Sequence, residues 1–466
     1  MPKVQKAPHL LFATAELRPL VSAGGLGEAA AGLVAALRAA GSKVTIALPD
    51  YFEWKLTNEV QTDLELPEWA MPAHVRIGEH PEAGTIALVT VPGIVRPDPY
   101  VDEDGEGWPD NLDRFAAFGA AIAAIAETGD YDAVHLNDWH TAFAPAFLPD
   151  STPTLLTIHN LGHQGLADAT WLERLPNRRH SYAWGNGLNA LAGAIQGAHL
   201  VGTVSPNYAS EIVTEEHGMG LQHRFAERGG GLFGIRNGID TRSWDPATDV
   251  HTPHFTFETI DGKQEARAQL LAKVGWHDSP DPIIGLVTRL VEQKGVDLAF
   301  EAAKFLPGMK ARMVVLGSGD RRLGDWARWL QEQHPDRFWF FDGYDVPLSH
   351  EIFAGADLFL MPSRFEPCGL AQMQAMAYGT IPIVTAVGGL VDTVIDADMS
   401  GEGNGFVATS NDEPGVVDAI HRSLRSVRHA GRKRSLQRRG MTTDWSWKAP
   451  AEQYIDVYRS LISPAP

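Results

Sequence analysis

The sequence predicts an α/β protein built from two doubly wound halves, each around a parallel sheet. Three observations carry this. The chain has 466 residues, too many for one ordinary domain. Short apolar runs of strand length alternate with helix-length amphipathic segments, the pattern of strand–helix–strand units. The alternation lapses over 207–280, which is rich in Gly, His, Asp and Pro, and then resumes. The expected division is therefore 1–240 and 281–445, with a linker region over 241–280.

Residues 9–14 (HLLFAT) read as a buried strand and 43–48 (KVTIAL) as the next. Between them Leu26, Ala30, Leu33, Val34 and Leu37 fall at helical spacing, and Gly41 closes the helix as a C-terminal cap. A helix between two strands implies that they run parallel. Further strands are expected at 132–137, 154–159 and 199–204. The second series runs strand 283–288, helix 296–306, strand 311–316, helix 321–333 and strand 337–341. Strand 356–361, a helix from Gly369 to Tyr378 and strand 381–385 follow. In such sheets ligands bind beyond the carboxyl ends of the strands, so a cleft between the halves is the expected site.

Lys and Arg number 39 against 58 Asp and Glu, a net charge of −19. That excludes sequence-independent binding to nucleic acid or anionic lipid, which needs a basic surface. The short basic run 428–439 reads as a solvated helix face. One cysteine, Cys368, excludes an intrachain disulfide framework and points to a reducing, cytoplasmic setting. The opening MPKVQKAPHLLFATAEL has too short an apolar run for a secretory signal, and no stretch is apolar enough to span a bilayer.

Four constellations carry chemistry. SAGGLGE (22–28) lies between the first strand and helix, where Gly24 and Gly25 permit close approach of a ligand; a plain tight turn is the rival reading. TRLVEQKG follows a strand and places Arg289 and Lys294 where a diphosphate would meet one guanidinium and one ammonium; pairing of both with Glu292 is the rival. SRFEPCGL puts Glu366 before Cys368, Gly369 and Leu370 at a helix start, suited to a sugar or phosphate. HLNDWH and TIHNLGHQG could gather Asp138, His140, His159, Asn160 and His163 at one wall. No His-x-x-x-His pair supports zinc, and no metal is expected.

Together with TVSPNYASEI, IRNGID, YGTIPIV and GGLVDTV, these motifs resemble those of bacterial glycogen synthases and plant starch synthases, in order and spacing, from residue 9 to the closing DWSWKAPAEQYIDVYRSLI. The resemblance implies a GT-B fold, two Rossmann-like domains facing each other across a deep cleft, with residues 446–466 crossing back as a last helix. It implies metal-independent, anomer-retaining transfer of glucose from a nucleotide sugar, a co-substrate rather than a cofactor, ADP-glucose foremost. Arg289 and Lys294 would hold the donor diphosphate, and Gly25, beside Gly24, would approach it from the first domain. Glu366 and the N–H groups of Cys368, Gly369 and Leu370 would bind the sugar and distal phosphate. His159 and Asp138 would flank the sugar, Asn237 would bond a hydroxyl, and Tyr344 would stack near the base. Glu28, Tyr100 and His140 would lie on the acceptor side.

Two positions depart from the family pattern. Its first loop usually reads Lys-Thr-Gly-Gly-Leu, whereas here Ser22 and Ala23 precede the glycines; its Lys-Ala-Gly stands here as Ala192-Gly193-Ala194. Three readings follow: a synthase extending an α-1,4-glucan; a glycosyltransferase or pseudo-glycosyltransferase joining an activated sugar or cyclitol to a small amino-sugar acceptor; and a non-catalytic glucan-binding or regulatory homologue. Retention of Glu366, Arg289, Lys294, His159 and Asp138 argues against the last.

Overall fold

The computed structural model describes residues 7–103 and 105–463; residues 1–6, which open the stretch examined for a secretory signal, lie outside them. The chain forms two compact units, Met1–Gly238 with Trp447–Pro466, and Ile239–Ser446.

The first unit holds a nine-stranded sheet. Its spatial order is Leu232–Gly234, Leu200–Thr203, Thr154–Ile158, Ala133–Asn137, His9–Ala13, Lys43–Pro49, Gly84–Thr90, His74–His80, Thr57–Asp63. The first seven strands run parallel, and the last two are added by antiparallel pairing, His74–His80 on Gly84–Thr90 and Thr57–Asp63 on His74–His80. The chain leaves His9–Ala13 toward one edge and later returns to its other side at Ala133–Asn137. The topological switch point therefore lies between these two strands, and beyond their carboxyl ends is where a ligand binds in such sheets. The helix Gly25–Ala39 buries Leu26, Ala30, Leu33, Val34 and Leu37 and ends before Gly41, whose φ of +94° suits glycine.

The last helix, Lys448–Ile462, belongs to this first unit. Trp447 lies so close to Gly32 that a Cβ there would overlap the indole ring. Tyr458 is hydrogen-bonded to His135 Nδ1 at 2.7 Å, and Thr157 to its Nε2 at 2.7 Å, so a buried imidazole joins the helix to two central strands.

The second unit carries a six-stranded parallel sheet in the order Phe338–Asp342, Arg312–Gly317, Ile283–Val287, Leu358–Met361, Ile381–Val384, Phe406–Val407. Its switch point lies between Ile283–Val287 and Leu358–Met361. Residues 239–280 sit inside this unit: the helix Lys263–Lys273 packs Leu270 and Leu271 with Leu348 and Ile352 of helix Val346–Gly355. Lys263, buried, donates from Nζ to the Ala354 carbonyl at 2.6 Å, the Tyr378 carbonyl at 3.0 Å and the Thr380 hydroxyl at 2.7 Å.

Three element expectations change. The helix expected from Gly369 begins at Ala371, because Gly369 has φ +71° and cannot continue a right-handed turn. The helix expected over 296–306 stops at Ala303. The basic run is not simply a solvated face. On helix Ala430–Thr442, Lys433 pairs with the buried Asp357 at 2.5 Å and Arg439 donates to the Gly403 carbonyl at 2.7 Å. Among the described residues, no helix is long and apolar enough to cross a membrane.

Candidate active site

In the second unit both strand ends at the switch point lead into polar loops that touch. Lys294, in the loop after Ile283–Val287, meets Glu366, in the loop after Leu358–Met361, at 2.7 Å. Glu366 is 5% exposed and also accepts from the Ser363 hydroxyl at 3.0 Å. Its partner is thus Lys294, and Glu292 pairs with neither cation. Arg364 locks the two loops further, through a two-pronged ion pair with Asp297 at 2.7 and 2.6 Å and a bond to the Glu292 carbonyl at 3.0 Å. Gly295, at φ +59°, makes this approach possible, since a Cβ there would run into the Pro362 carbonyl oxygen.

The Arg289 side chain is exposed and has no hydrogen bond or ion pair among the described residues. It borders a cavity of about 160 Å³ lined also by Val287, Thr288, Leu316, Gly317, Ser318, Gly343 and Tyr344. Tyr344 is 83% exposed, a large ring free to cover a flat ligand. Gly369 and Leu370 donate their N–H groups to no protein acceptor among the described residues. Gly389 backs the same turn, where a Cβ would overlap the Cys368 backbone. A larger open groove of about 640 Å³ along helix Glu413–Val427 shares no residue with the switch point.

In the first unit Asp138, just past Ala133–Asn137, has φ +55°, a strained value for a non-glycine residue. It is held there by bonds that its Oδ1 accepts from the N–H groups of His159 (2.6 Å) and Asn160 (3.2 Å). Burial, with the Glu16 charge nearby, pushes its carboxyl up to about 7. Burial pulls His159 down to about 3, so the ring is neutral; its Nε2 lies 2.9 Å from Asn137 Oδ1. His140 is buried among Tyr100, Phe115 and Trp139, with centroids 5.0, 4.8 and 4.6 Å away, and its Nδ1 has no partner among the described residues. Asn237 is also buried, and its Oδ1 has no partner among the described residues. Glu28 lies in the first turn of helix Gly25–Ala39, 3.9 Å from Arg18. His163 is exposed on the loop, its N–H donating to the Asn160 carbonyl at 3.4 Å. Among the described residues, no group of three or more His, Cys, Asp or Glu side chains is placed to hold a metal ion.

Sequence reasoning missed Glu16. This buried carboxylate accepts from the N–H groups of Ala23 (2.8 Å) and Gly24 (3.0 Å) at one oxygen and from the Tyr100 hydroxyl (3.0 Å) at the other. The available signal was an acid three residues beyond a strand's carboxyl end. At the two departures the structure leaves no cation: Ser22 donates to the Gly24 carbonyl, and Ala192 is fully buried in helix Ala190–Gly197.

Residues 9–227 match the family described as starch synthase catalytic domain, and residues 270–435 match glycosyl transferases group 1. The glycogen synthase of Halorhodospira halophila is 39% identical over 98% of this chain and 99% of its own length. That of Thioalkalivibrio sulfidiphilus is 38% identical over 98% and 100%. Among solved structures, the catalytic domain of starch synthase IV from Arabidopsis thaliana, bound to ADP and acarbose, superposes with a TM-score of 0.87 at 31% identity, covering 98% of this chain and 99% of that one. Two Rossmann-like units of this topology define a GT-B glycosyltransferase fold. The chain belongs to the glycogen and starch synthase family.

Proposed function

We propose that the protein transfers glucose, with retention at the anomeric carbon, from ADP-glucose to the non-reducing end of an α-1,4-glucan. The observation that carries this is the Lys294–Glu366 pair at the second unit's switch point, with Arg289 unpaired beside the cavity. An ammonium has three N–H groups, so Lys294 keeps two for a diphosphate while one holds Glu366. Arg289 would grip the same group from its exposed side, and Tyr344 would lie over the base. Glu366 and the N–H groups of Cys368, Gly369 and Leu370 would take the sugar and distal phosphate.

In the reaction the bond from C1 to the phosphate oxygen breaks and a bond from C1 to the acceptor oxygen forms on the same face. The acceptor hydroxyl's proton passes to the leaving phosphate. Negative charge grows on that phosphate, and fixed cations stabilise it without reorganising. In the first unit neutral His159, Asp138 and Asn237 would bind sugar hydroxyls, and Glu28, Tyr100 and His140 would face the acceptor. No metal or cofactor enters this scheme, and a cytoplasmic setting belongs to the same reading. The full-length similarity to glycogen synthases supports the polymer assignment, and the likeness to a starch synthase bound to ADP supports the donor assignment.

A second reading keeps the donor chemistry and replaces the polymer with a small amino-sugar acceptor. It is supported by the missing cations at Ser22–Ala23 and Ala192. The test is nucleotide release by wild-type protein and by Arg289→Ala and Lys294→Ala. Turnover should fall by at least 100-fold in each variant, the loss typical of removing a charge-stabilising group. Near-normal rates in either would remove the residue from the mechanism.

A further inference from the structure

We infer that Glu16 is a positioning residue that couples the glycine loop 22–25 to the acceptor-side ring of Tyr100, an assignment whose functional part rests on the reading above.

The loop is anchored at both ends. Leu17 and Val21 exchange backbone hydrogen bonds at 3.0 and 2.9 Å, and the helix begins at Gly25. Between these anchors Ser22, Ala23 and Gly24 are exposed. The N–H groups of Ala23 and Gly24 find their acceptor, among the described residues, in Glu16 Oε2. Glu16 itself is fixed before it reaches the loop: it is 4% exposed, its N–H donates to Thr14 Oγ1 at 3.4 Å, and its carbonyl accepts from the same hydroxyl at 2.9 Å. The second oxygen, Oε1, takes the Tyr100 O–H at 3.0 Å, 84 residues along the chain. Burial and the Glu16 charge keep that phenol protonated, so it remains a donor. Tyr100 in turn packs on His140 and Phe115, with centroids at 5.0 and 6.1 Å.

One carboxylate thus sets both the path of the loop that precedes a helix N-terminus and the tilt of an aromatic wall. Only an acceptor at both oxygens satisfies the two N–H groups and the O–H together. Glutamine would keep the loop bonds and reverse the polarity facing Tyr100; alanine would release all three donors. The loop lacks the family's lysine, so its backbone geometry is what it can offer a phosphate.

The test compares wild type with Glu16→Ala, Glu16→Gln and Tyr100→Phe, by amide hydrogen exchange without substrate and by steady-state kinetics. Exchange at Ala23 and Gly24 should quicken by roughly 10-fold or more in Glu16→Ala, quicken measurably in Tyr100→Phe, and stay near wild type in Glu16→Gln. Donor KM should rise on the order of 10–100-fold in Glu16→Ala, the range for losing charge-assisted hydrogen bonds, with a smaller change in kcat. Glu16→Gln should restore most of the donor KM. The double variant Glu16→Ala/Tyr100→Phe should be no worse than Glu16→Ala alone. Unchanged exchange in Tyr100→Phe, an unchanged donor KM in Glu16→Ala, or independent effects in the double variant would overturn the assignment. A wild-type protein that transfers no sugar defeats the transferase reading, while the exchange arm still decides the role of Glu16.

Discussion

Lys294 and Glu366 form an ion pair that, in the proposed reaction, serves two phases. At rest each neutralises the other in a nearly closed setting, where an unpaired charge would be costly. Replacing Glu366 with Gln frees the lysine charge and exchanges one carboxylate oxygen, on the proposed reading an acceptor for sugar hydroxyls, for an amide NH2. Glu366→Gln should therefore bind ADP as tightly as wild type or tighter by calorimetry, while turnover drops by on the order of 100-fold. Asp138 offers a test by pH. Its folded value, up to about 7, lies above the ordinary 3.8, so between those values the native state holds a proton that the unfolded chain releases. Stability is thus lost as pH rises through that window. Asp138→Asn keeps an oxygen for the His159 and Asn160 N–H groups and cannot ionise. It should be more stable than wild type at pH 8 by on the order of 3 kcal/mol, with the gain vanishing near pH 4 in thermal unfolding. Of the residues themselves, those with a distinctive spacing were legible in sequence. Glu16 was not: its place three residues past a strand end says nothing of its partners, which lie 7, 8 and 84 positions away.

At the scale of elements, Gly295 decides whether the two switch-point loops can meet. Gly295→Ala should force the loop off Pro362, part Lys294 from Glu366 and cost about 1–3 kcal/mol in chemical denaturation, with activity falling further than stability. The central strands were readable because parallel strands buried on both faces are nearly continuous apolar runs, as in Leu155–Ile158, broken only by Thr157, and Ile283–Leu286. Strand Thr57–Asp63 was invisible for the opposite reason: all seven of its residues are exposed and TNEVQTD shows no alternation. It is held against its neighbour His74–His80 by the backbone ladder and by polar contacts, Arg76 to Glu59 at 2.9 Å and the Thr57 hydroxyl to the Glu79 carbonyl at 3.2 Å, rather than by apolar burial.

For the whole molecule, the chain enters the second unit at Ile239 and returns to the first at Trp447. The returning helix is tied in through Tyr458 and His135, whose ring burial pulls down to about 3. The unfolded chain takes up a proton at His135 below about pH 6.5 while the native state refuses it, so this link weakens the fold as pH falls toward 3. Truncation at Ser446 should lower the thermal midpoint of the first unit while the ADP-induced stabilisation of the second persists, as followed by calorimetry with and without nucleotide.

In the proposed reaction, fixed cations of the second unit draw off charge as a hexose leaves its nucleotide for a glucan end. The most direct measurement is nucleotide release from ADP-, UDP-, GDP- and dTDP-glucose, each offered with glycogen and with small amino sugars, with the new linkage read by NMR. ADP release that requires glycogen, builds α-1,4 bonds and collapses in Lys294→Ala is the predicted result. Release that ignores glycogen, or that persists undiminished without Lys294, would contradict it.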